Sequence, residues 1–120
     1  MKTVKARWIK FSEIEVEGER YSHDIVIDEG KVNQRIKKPS KPYRDQFGHP
    51  PLSAKERIPW GGKQLIIGTG DSGNLPIMPE VWAEAERRGI EIVAAPTDEA
   101  LRLLGAIKGK DAHAILHVTC

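Results

Sequence analysis

The clearest pattern of apolar and polar positions lies in the C-terminal half of the chain, residues 64–120. Residues 65–67 form a short apolar run that ends in a glycine-rich turn, a pattern typical of a buried strand. A helix is predicted next, because Pro79 suits the first turn of a helix and Gly89 suits the position just after its end. The remaining elements of this half are predicted to pack beside that first strand.

The pattern then continues with a second strand, a second helix and a third strand. Apolar residues begin a strand at Ile90, and Pro96 ends it. Thr97 is predicted to cap the following helix, Gly109 to end it, and residues 112–119 to form the last strand. Helices this short between strands indicate right-handed crossovers and parallel pairing.

Residues 1–36 show the alternation of a β-sheet with one polar face. The apolar residues Ile9 and Phe11 lie at odd-numbered positions, whereas Ile14 and Val16 lie at even-numbered positions. Since side chains alternate between the two faces of a strand, we expect one extra residue, a β-bulge near Ser12.

Two turns divide the same segment. Residues 17–19 and 28–31 each contain glycine among polar residues, and both are predicted as hairpin turns. A returning strand is expected at 21–27 and a weaker strand at 32–36. The segment is thus predicted to form a three-strand antiparallel meander.

A proline-rich segment, residues 37–63, separates the two halves. Four prolines within residues 37–52 argue against regular structure, so we expect a loop there. Loops this long in compact domains are more often functional or partner-facing than idle. Ser53 and Glu56 have the spacing of a capping box, which predicts a short helix that Pro59 ends.

These elements predict an α/β fold class with three layers. A central mixed, largely parallel sheet would have flanking helices and an added N-terminal antiparallel β meander. A length of 120 residues indicates a single domain, 1–120, with one hydrophobic core.

Composition narrows the class of protein further. The charged share of 30% and the hydrophobic share of 39% are ordinary for a soluble chain, and a net charge of +2 does not favour nucleic acid. Residues 1–60 carry 13 Lys and Arg against 9 Asp and Glu, whereas residues 61–120 carry 6 against 8. The β-rich half is therefore basic and the other half mildly acidic.

The cellular location is expected to be cytoplasmic. Cys120 is the single cysteine, so no disulfide can form within the chain. No apolar run approaches the ~20 residues of a membrane helix, and the first residues lack a signal-peptide core. We therefore expect no membrane partner.

The glycine-rich turn is a candidate ligand site. Gly-Thr-Gly-Asp-Ser-Gly at 68–73 matches G-x-G-x-x-G directly after a strand, where free backbone N–H groups can hold an anion. Against dinucleotide binding, no helix starts at the third glycine, no acid ends the next strand, and an aspartate lies inside the motif. The alternative is a tight turn that needs glycine for packing. The residues of this ligand hypothesis are Gly68, Thr69, Gly70, Asp71, Ser72 and Gly73, with Arg44 and His49 reaching over them.

A basic run in the proline-rich segment is a candidate partner site. It contains five basic residues and no acid between positions 35 and 44. Contact with an acidic protein or ligand is one interpretation, and a solvated basic edge is the other; nucleic acid is disfavoured. The residues of the partner hypothesis are Arg35, Lys37, Lys38, Lys41, Tyr43 and Arg44.

No catalytic residue, metal site or cofactor is predicted. His113 and His117 lie on the same face of the last strand but ~13 Å apart, too far to share a metal. His23 and Asp24 are strand neighbours and are expected to face opposite sides. No serine or cysteine lies in a recognised nucleophile motif.

Several stretches together resemble a known family of small domains of unknown function. They lie at residues 11–14, 21–27, 43–53, 65–70 and 116–120, and the resemblance spans nearly the whole chain. The family includes the vertebrate adipogenesis-associated domain protein, archaeal and bacterial single-domain proteins, and a mitochondrial respiratory complex I assembly factor. The resemblance implies an α/β domain with a central mixed sheet and no established catalytic residues, cofactor or substrate.

Two functional hypotheses follow. The first, which the assembly-factor relative favours by analogy, is a non-enzymatic protein-binding or assembly module that uses the basic loop and the surface beside the glycine-rich turn. The second is a small-ligand or anion-binding protein, with or without catalysis, that uses the carboxyl ends of the parallel strands. The sequence is compatible with a monomer. Because an unpaired β edge is expected, it is compatible with a homodimer as well.

Overall fold

The computed structural model describes residues 3–120; Met1 and Lys2, which belong to the first predicted segment, lie outside the described residues. Within that range the strands are β1 Ala6–Lys10, β2 Glu13–Val16, β3 Glu19–Tyr21, β4 Ile25–Asp28, β5 Lys31–Gln34, β6 Gln64–Thr69, β7 Glu91–Ala95 and β8 His113–His117. The α-helices are α1 Arg44–Phe47, α2 Pro79–Arg88 and α3 Thr97–Leu104, and 3₁₀ helices span Lys38–Tyr43 and Gly109–Asp111.

Five strands form a central mixed sheet in the order β5-β4-β8-β6-β7. Strand β6 pairs in parallel with both β7 and β8, whereas β4 pairs antiparallel with β5 and β8. Strands β1, β2 and β3 form a separate antiparallel meander. The predicted α/β fold class, with a mixed sheet, flanking helices and an added meander, is confirmed.

Each face of the central sheet is covered by apolar packing. On one face, Ile66 and Leu116 pack with α3 and with Ile14 of the meander. On the other face, Leu65 and Ile67 pack with Val81 of α2 and with Leu52 of the proline-rich segment. Because both faces are covered, β6 has an unbroken apolar run, as a buried interior strand requires.

Local signals placed several boundaries correctly. Pro79 is the first residue of α2, and Gly89 ends the helix with φ +69°. Both predicted hairpin turns are present, with positive φ at Gly18 and at Gly30 and at the glutamate before each. Two consecutive positive φ values give a turn whose twist matches the flanking strands.

The strand pattern of the first 36 residues was predicted incorrectly in two places. The change of parity at Ser12 is a chain reversal with φ +65°, so residues 9–16 form two strands. The pairing of these strands does contain an irregularity in register, but it lies in β1 between Trp8 and Lys10 rather than at Ser12. The predicted strand at 21–27 is broken between β3 and β4. Strands β4 and β5 belong to the central sheet, and the meander is limited to β1–β3.

Two further corrections concern the proline-rich segment and α3. Residues 38–47 are helical despite their prolines. Pro39 lies in the first turn of the 3₁₀ helix, where its missing N–H costs nothing, whereas Pro42 lies inside that helix and leaves it one N–H donor short. The predicted helix at Ser53 is only a turn, in which the Glu56 N–H donates a hydrogen bond to the Ser53 carbonyl. Helix α3 ends at Leu104, before Gly109.

Candidate functional site

The glycine-rich turn is held by hydrogen bonds within the chain itself. The Gly70 N–H donates to the Thr97 hydroxyl (2.8 Å), and the Asp71 N–H donates to the Thr119 carbonyl (2.7 Å). The Asn74 N–H donates to the carbonyl of Cys120 (2.9 Å). An anion in a glycine-rich turn needs free N–H groups, and these three are already bonded.

The glycines of this turn serve close packing. A Cβ on Gly70, where φ is +104°, would lie 2.3 Å from the carbonyl carbon of Cys120. A Cβ on Gly68 would lie 2.8 Å from the hydroxyl of Thr97. Thr97 was predicted as a helix cap, but its hydroxyl accepts from Gly70 and donates to the His117 carbonyl instead.

Asp71, Ser72 and Gly73 of the same turn are exposed, as are Arg44 and His49.

Arg35, a residue of the predicted partner site, is buried rather than solvated. Its side chain is only 1% exposed, so its guanidinium contacts the protein interior. It donates to Asp24 Oδ2 (2.8 Å), to both carboxylate oxygens of Glu56 (2.8 Å each) and to the Pro51 carbonyl (3.2 Å). The expectation that Arg35 belongs to a surface run is therefore corrected.

Two serines complete this buried group, which we call the Arg35 cluster. Its members are Asp24, Arg35, Ser40, Ser53 and Glu56. The Ser40 hydroxyl donates to the Glu56 carboxylate and lies 2.7 Å from the Ser53 hydroxyl. Ser53 and Glu56 were predicted to form a capping box. Instead, the Ser53 hydroxyl lies beside the Ser40 hydroxyl, and the Glu56 carboxylate accepts from Ser40 and Arg35, so neither side chain caps a helix.

The charges of the cluster stabilise one another. Burial alone raises the pKa of Asp24, but hydrogen bonds from His117 and the Val118 N–H, with the charge of Lys37, bring it well below its ordinary value. The guanidinium of Arg35 acts in the same direction. Burial lowers the pKa of Arg35, yet its bonds and charge contacts with Glu56 and Asp24 raise it overall. Asp24 and Arg35 therefore stay ionised.

A chain of hydrogen bonds leads from this cluster to the surface. His117 Nδ1 lies 2.7 Å from Asp24 Oδ2, and His117 Nε2 lies 3.2 Å from Thr119 Oγ1. Sequence reasoning paired His23 with Asp24 and dismissed the pair, and it missed His117 because 93 residues separate it from Asp24. Only the pairing of β4 with β8 brings them together.

A pocket of about 460 Å³ lies over this part of the molecule, and we call it the basic pocket. Its lining residues are Ser22, His23, Asp24, Gln34, Arg35, Ile36, Lys37, Lys38, Lys41, Val118 and Thr119. Three lysines of the predicted partner site thus meet at one pocket, with Lys37 Nζ 3.3 Å from Asp24 Oδ2.

The other predicted site residues lie outside this lining. They are Tyr43, Arg44, His49 and the glycine-rich turn at 68–73. The ring of Tyr43 instead lies 5.4 Å from the Lys55 ammonium, as a cation–π contact. The basic pocket is therefore a different place from the crevice predicted at residues 68–73: it lies where β4 begins, where β5 ends and where the chain continues after β8.

Among the described helices, none has the length and apolar character needed to cross a membrane. Within residues 3–120, no three His, Cys, Asp or Glu side chains come together as a metal site would require.

Comparison with solved structures identifies proteins of the same fold. The conserved hypothetical protein PH1505 from Pyrococcus horikoshii OT3 is 32% identical, with a TM-score of 0.76, over 97% of this chain and 99% of that one. The protein MT938 is 24% identical, with a TM-score of 0.72, over 98% and 100%. An Mth938-like domain from Bordetella pertussis is 22% identical, with a TM-score of 0.60, over 98% and 85%.

No family model and no curated protein matches the chain. The likeness to MT938 and to the Bordetella pertussis domain shows a shared fold, that of the Mth938-like domain. The likeness to PH1505 is closer and spans nearly all of both chains. The chain therefore belongs to the same family as PH1505 of Pyrococcus horikoshii, a family of uncharacterised proteins with the Mth938-like fold.

Proposed function

We propose that the protein binds a small anionic ligand, a carboxylate or phosphate compound, in the basic pocket. The observation that carries the proposal is the meeting of Lys37, Lys38 and Lys41 at one concave site. A pocket of about 460 Å³ is within the size range of small-molecule sites.

The balance of charge supports an anion. Asp24 is the one carboxylate among the lining residues, and it already bonds to Arg35, Lys37 and His117. Lys38 and Lys41 make no ion pair with any residue in the described part of the chain. Their ammonium groups can therefore interact with a bound anion without first leaving a carboxylate.

The backbone that carries the lysines is held in place before any ligand arrives. Lys38 and Lys41 lie on a 3₁₀ helix in which Pro39 and Pro42 fix φ. Between them, the buried Ser40 is tied to the Arg35 cluster. Less conformational entropy is then lost on binding, which favours affinity.

The test is thermal unfolding with increasing succinate or inorganic phosphate. A ligand at about 100 times its Kd stabilises a protein by about 2.7 kcal/mol, which is readily measured. We expect the stabilisation by at least one anion to be lost in Lys37→Gln/Lys38→Gln/Lys41→Gln.

The matched control is Lys5→Gln/Lys31→Gln/Lys63→Gln, which removes the same charge from exposed positions outside the basic pocket. It is expected to respond as the unaltered protein does. Flat melting curves with both anions, or equal losses in the two triple variants, would contradict the proposal.

We propose as a second function that the same basic surface contacts an acidic protein partner. The 3₁₀ helix and α1 continue past the pocket to Tyr43 and the exposed Arg44, so the positive surface extends beyond a small-ligand site. The resemblance to an assembly factor supports this role by analogy. A pull-down comparing the unaltered protein with Lys37→Glu/Lys38→Glu/Arg44→Glu tests it, and an unchanged set of captured proteins would count against it.

A further inference from the structure

We infer that Thr119 is a nucleophile and His117 its general base, acting on an ester that carries an anionic group. Asp24 is the positioning residue behind His117. The inference rests on the proposed function in one respect, since the lysines of the basic pocket would hold the anionic group of the ester. It adds acyl transfer to what would otherwise be a binding site.

The direction of each hydrogen bond follows from the chemistry of the groups. The ionised Asp24 carboxylate can only accept, so His117 Nδ1 carries a proton and donates it across 2.7 Å. In the neutral imidazole, Nε2 then has a free lone pair. When His117 is neutral, the Thr119 hydroxyl, 3.2 Å away, can donate to that lone pair. A hydroxyl, an imidazole and a carboxylate in this sequence form the arrangement of an activated nucleophile.

The carboxylate behind His117 is fixed by its other partners. Asp24 Oδ1 accepts from the Val118 N–H (2.9 Å), and Oδ2 accepts from Arg35 (2.8 Å). Val118 lies between His117 and Thr119, so the same carboxylate holds both the ring and the backbone that carries the hydroxyl. Orientation of this kind keeps a catalytic imidazole in one tautomer and one position.

The nucleophile is accessible from the pocket that would hold the substrate. Thr119 is half-buried and lines the basic pocket together with Lys37, Lys38 and Lys41. A carboxylate or phosphate on the ester can lie among the lysines while its carbonyl meets the hydroxyl. The ammonium groups also provide positive charge for the oxyanion that forms during attack.

The reaction is a two-step acyl transfer. Thr119 Oγ attacks the ester carbonyl carbon, and its proton passes to His117 Nε2. The bond to the alcohol oxygen then breaks, and His117 returns the proton to the departing alcohol. Water then attacks the acyl carbon while His117 Nε2 accepts its proton. The bond between that carbon and Thr119 Oγ breaks, and His117 returns the proton to Oγ, which releases the carboxylic acid and restores the hydroxyl.

The test uses mono-4-nitrophenyl succinate, an activated ester with a free carboxylate. Release of 4-nitrophenolate is followed by absorbance, and the protein is examined by peptide mass spectrometry. We expect a succinyl group on Thr119 and a release rate that falls at least about 100-fold in Thr119→Val and in His117→Gln. Thr119→Ser is expected to retain the reaction, because it keeps the hydroxyl.

Two further measurements separate this inference from the proposed function. Succinate is not an ester, so protection of the unaltered protein by succinate in thermal unfolding reports binding without reaction. If that protection is found while no variant changes the rate and Thr119 is never succinylated, the acyl-transfer inference is overturned and the binding proposal stands. If neither protection nor reaction is found in the unaltered protein, both fail. If the rate of the unaltered protein depends on pH and His117→Gln loses that dependence, the result supports His117 as the general base.

Discussion

Replacing Arg35 with methionine is expected to destabilise the fold severely. Arg35→Met keeps a long side chain but removes the charge between two carboxylates whose side chains are 2% and 3% exposed. Breaking a buried ion pair by removing one partner costs about 3–5 kcal/mol, since the remaining charge is left without compensation. Asp24 retains His117, Val118 and Lys37, whereas Glu56 retains one side-chain partner among residues 3–120, the hydroxyl of Ser40. Glu56 is therefore the main source of the loss.

The assay is equilibrium unfolding in urea. With a denaturant slope of about 2 kcal/mol per M for a domain of this size, a loss of about 4 kcal/mol lowers the midpoint by about 2 M. Arg102→Met is the matched control, because Arg102 pairs with Glu99 on the exposed side of α3. A screened surface pair contributes little, so its midpoint should hardly move.

The pH dependence of the unfolding free energy tests the Arg35→Met substitution in a second way. In the unaltered protein the folded-state pKa of Asp24 is lowered, so its contribution to stability is present above the ordinary value of 3.8 and is lost as pH falls below it. In Arg35→Met the Asp24 carboxylate has lost one of its cationic partners, so less of this contribution remains to be lost. The free-energy difference between the two proteins should therefore shrink as pH falls through and below 3.8.

Three outcomes would refute this reasoning. One is a midpoint for Arg35→Met that falls no further than that of Arg102→Met. Another is a difference in unfolding free energy that grows on acidification. The third comes from Arg35→Met/Glu56→Leu, which removes the stranded carboxylate and should be more stable than the single variant; a less stable double variant would show that Glu56 is not the cause.

Two further substitutions test the glycine-rich turn by the same urea unfolding. Gly70→Ala should destabilise the fold by well over about 1 kcal/mol, because the new Cβ meets the backbone of Cys120. Gly18 also has positive φ but has open space around it, so Gly18→Ala should cost only about 1 kcal/mol. Equal losses in the two variants would contradict the packing explanation. Thr97→Val should cost about 1–3 kcal/mol by removing the bonds to Gly70 and His117, and Thr97→Ser should keep most of the stability.

The parts of the fold that sequence reasoning predicted correctly are those with local signals. Residues 65–67, Pro79 and Gly89 each specify their conformation through their own chemistry or through neighbours within one turn. The same applies to the two hairpin turns. Their glycines adopt positive φ because no Cβ opposes it.

The Arg35 cluster could not be predicted because its members are far apart in the chain and individually ordinary. Arg35 begins a run of basic residues, and such runs are usually solvated. Its partners Asp24 and Glu56 lie 11 and 21 residues away, on either side. The sequence feature nearest to a signal for this cluster was the spacing of Ser53 and Glu56. That spacing is equally typical of a capping box, which is how it was interpreted.

Some of the residues that line the basic pocket had a signal in the sequence. The charge of Lys37, Lys38 and Lys41 placed them in a candidate partner surface, and all three line the pocket. Thr119 and His117 were not assigned, since a threonine and a histidine two residues apart have no motif. Their relation to Asp24 exists only through the register of β4 against β8, which pairs Ile25 with Leu116.

The position of β8 has a consequence for biosynthesis. This strand is synthesised after β1–β7, yet it lies between β4 and β6 in the central sheet. Until it emerges, the hairpin of β4 and β5 and the unit of β6 and β7 have no strand to join them, and apolar residues such as Ile27 and Ile66 lack their neighbour. Completion of the central sheet therefore waits until β8 has been synthesised, and the nascent chain exposes apolar surface to aggregation and to chaperones until then.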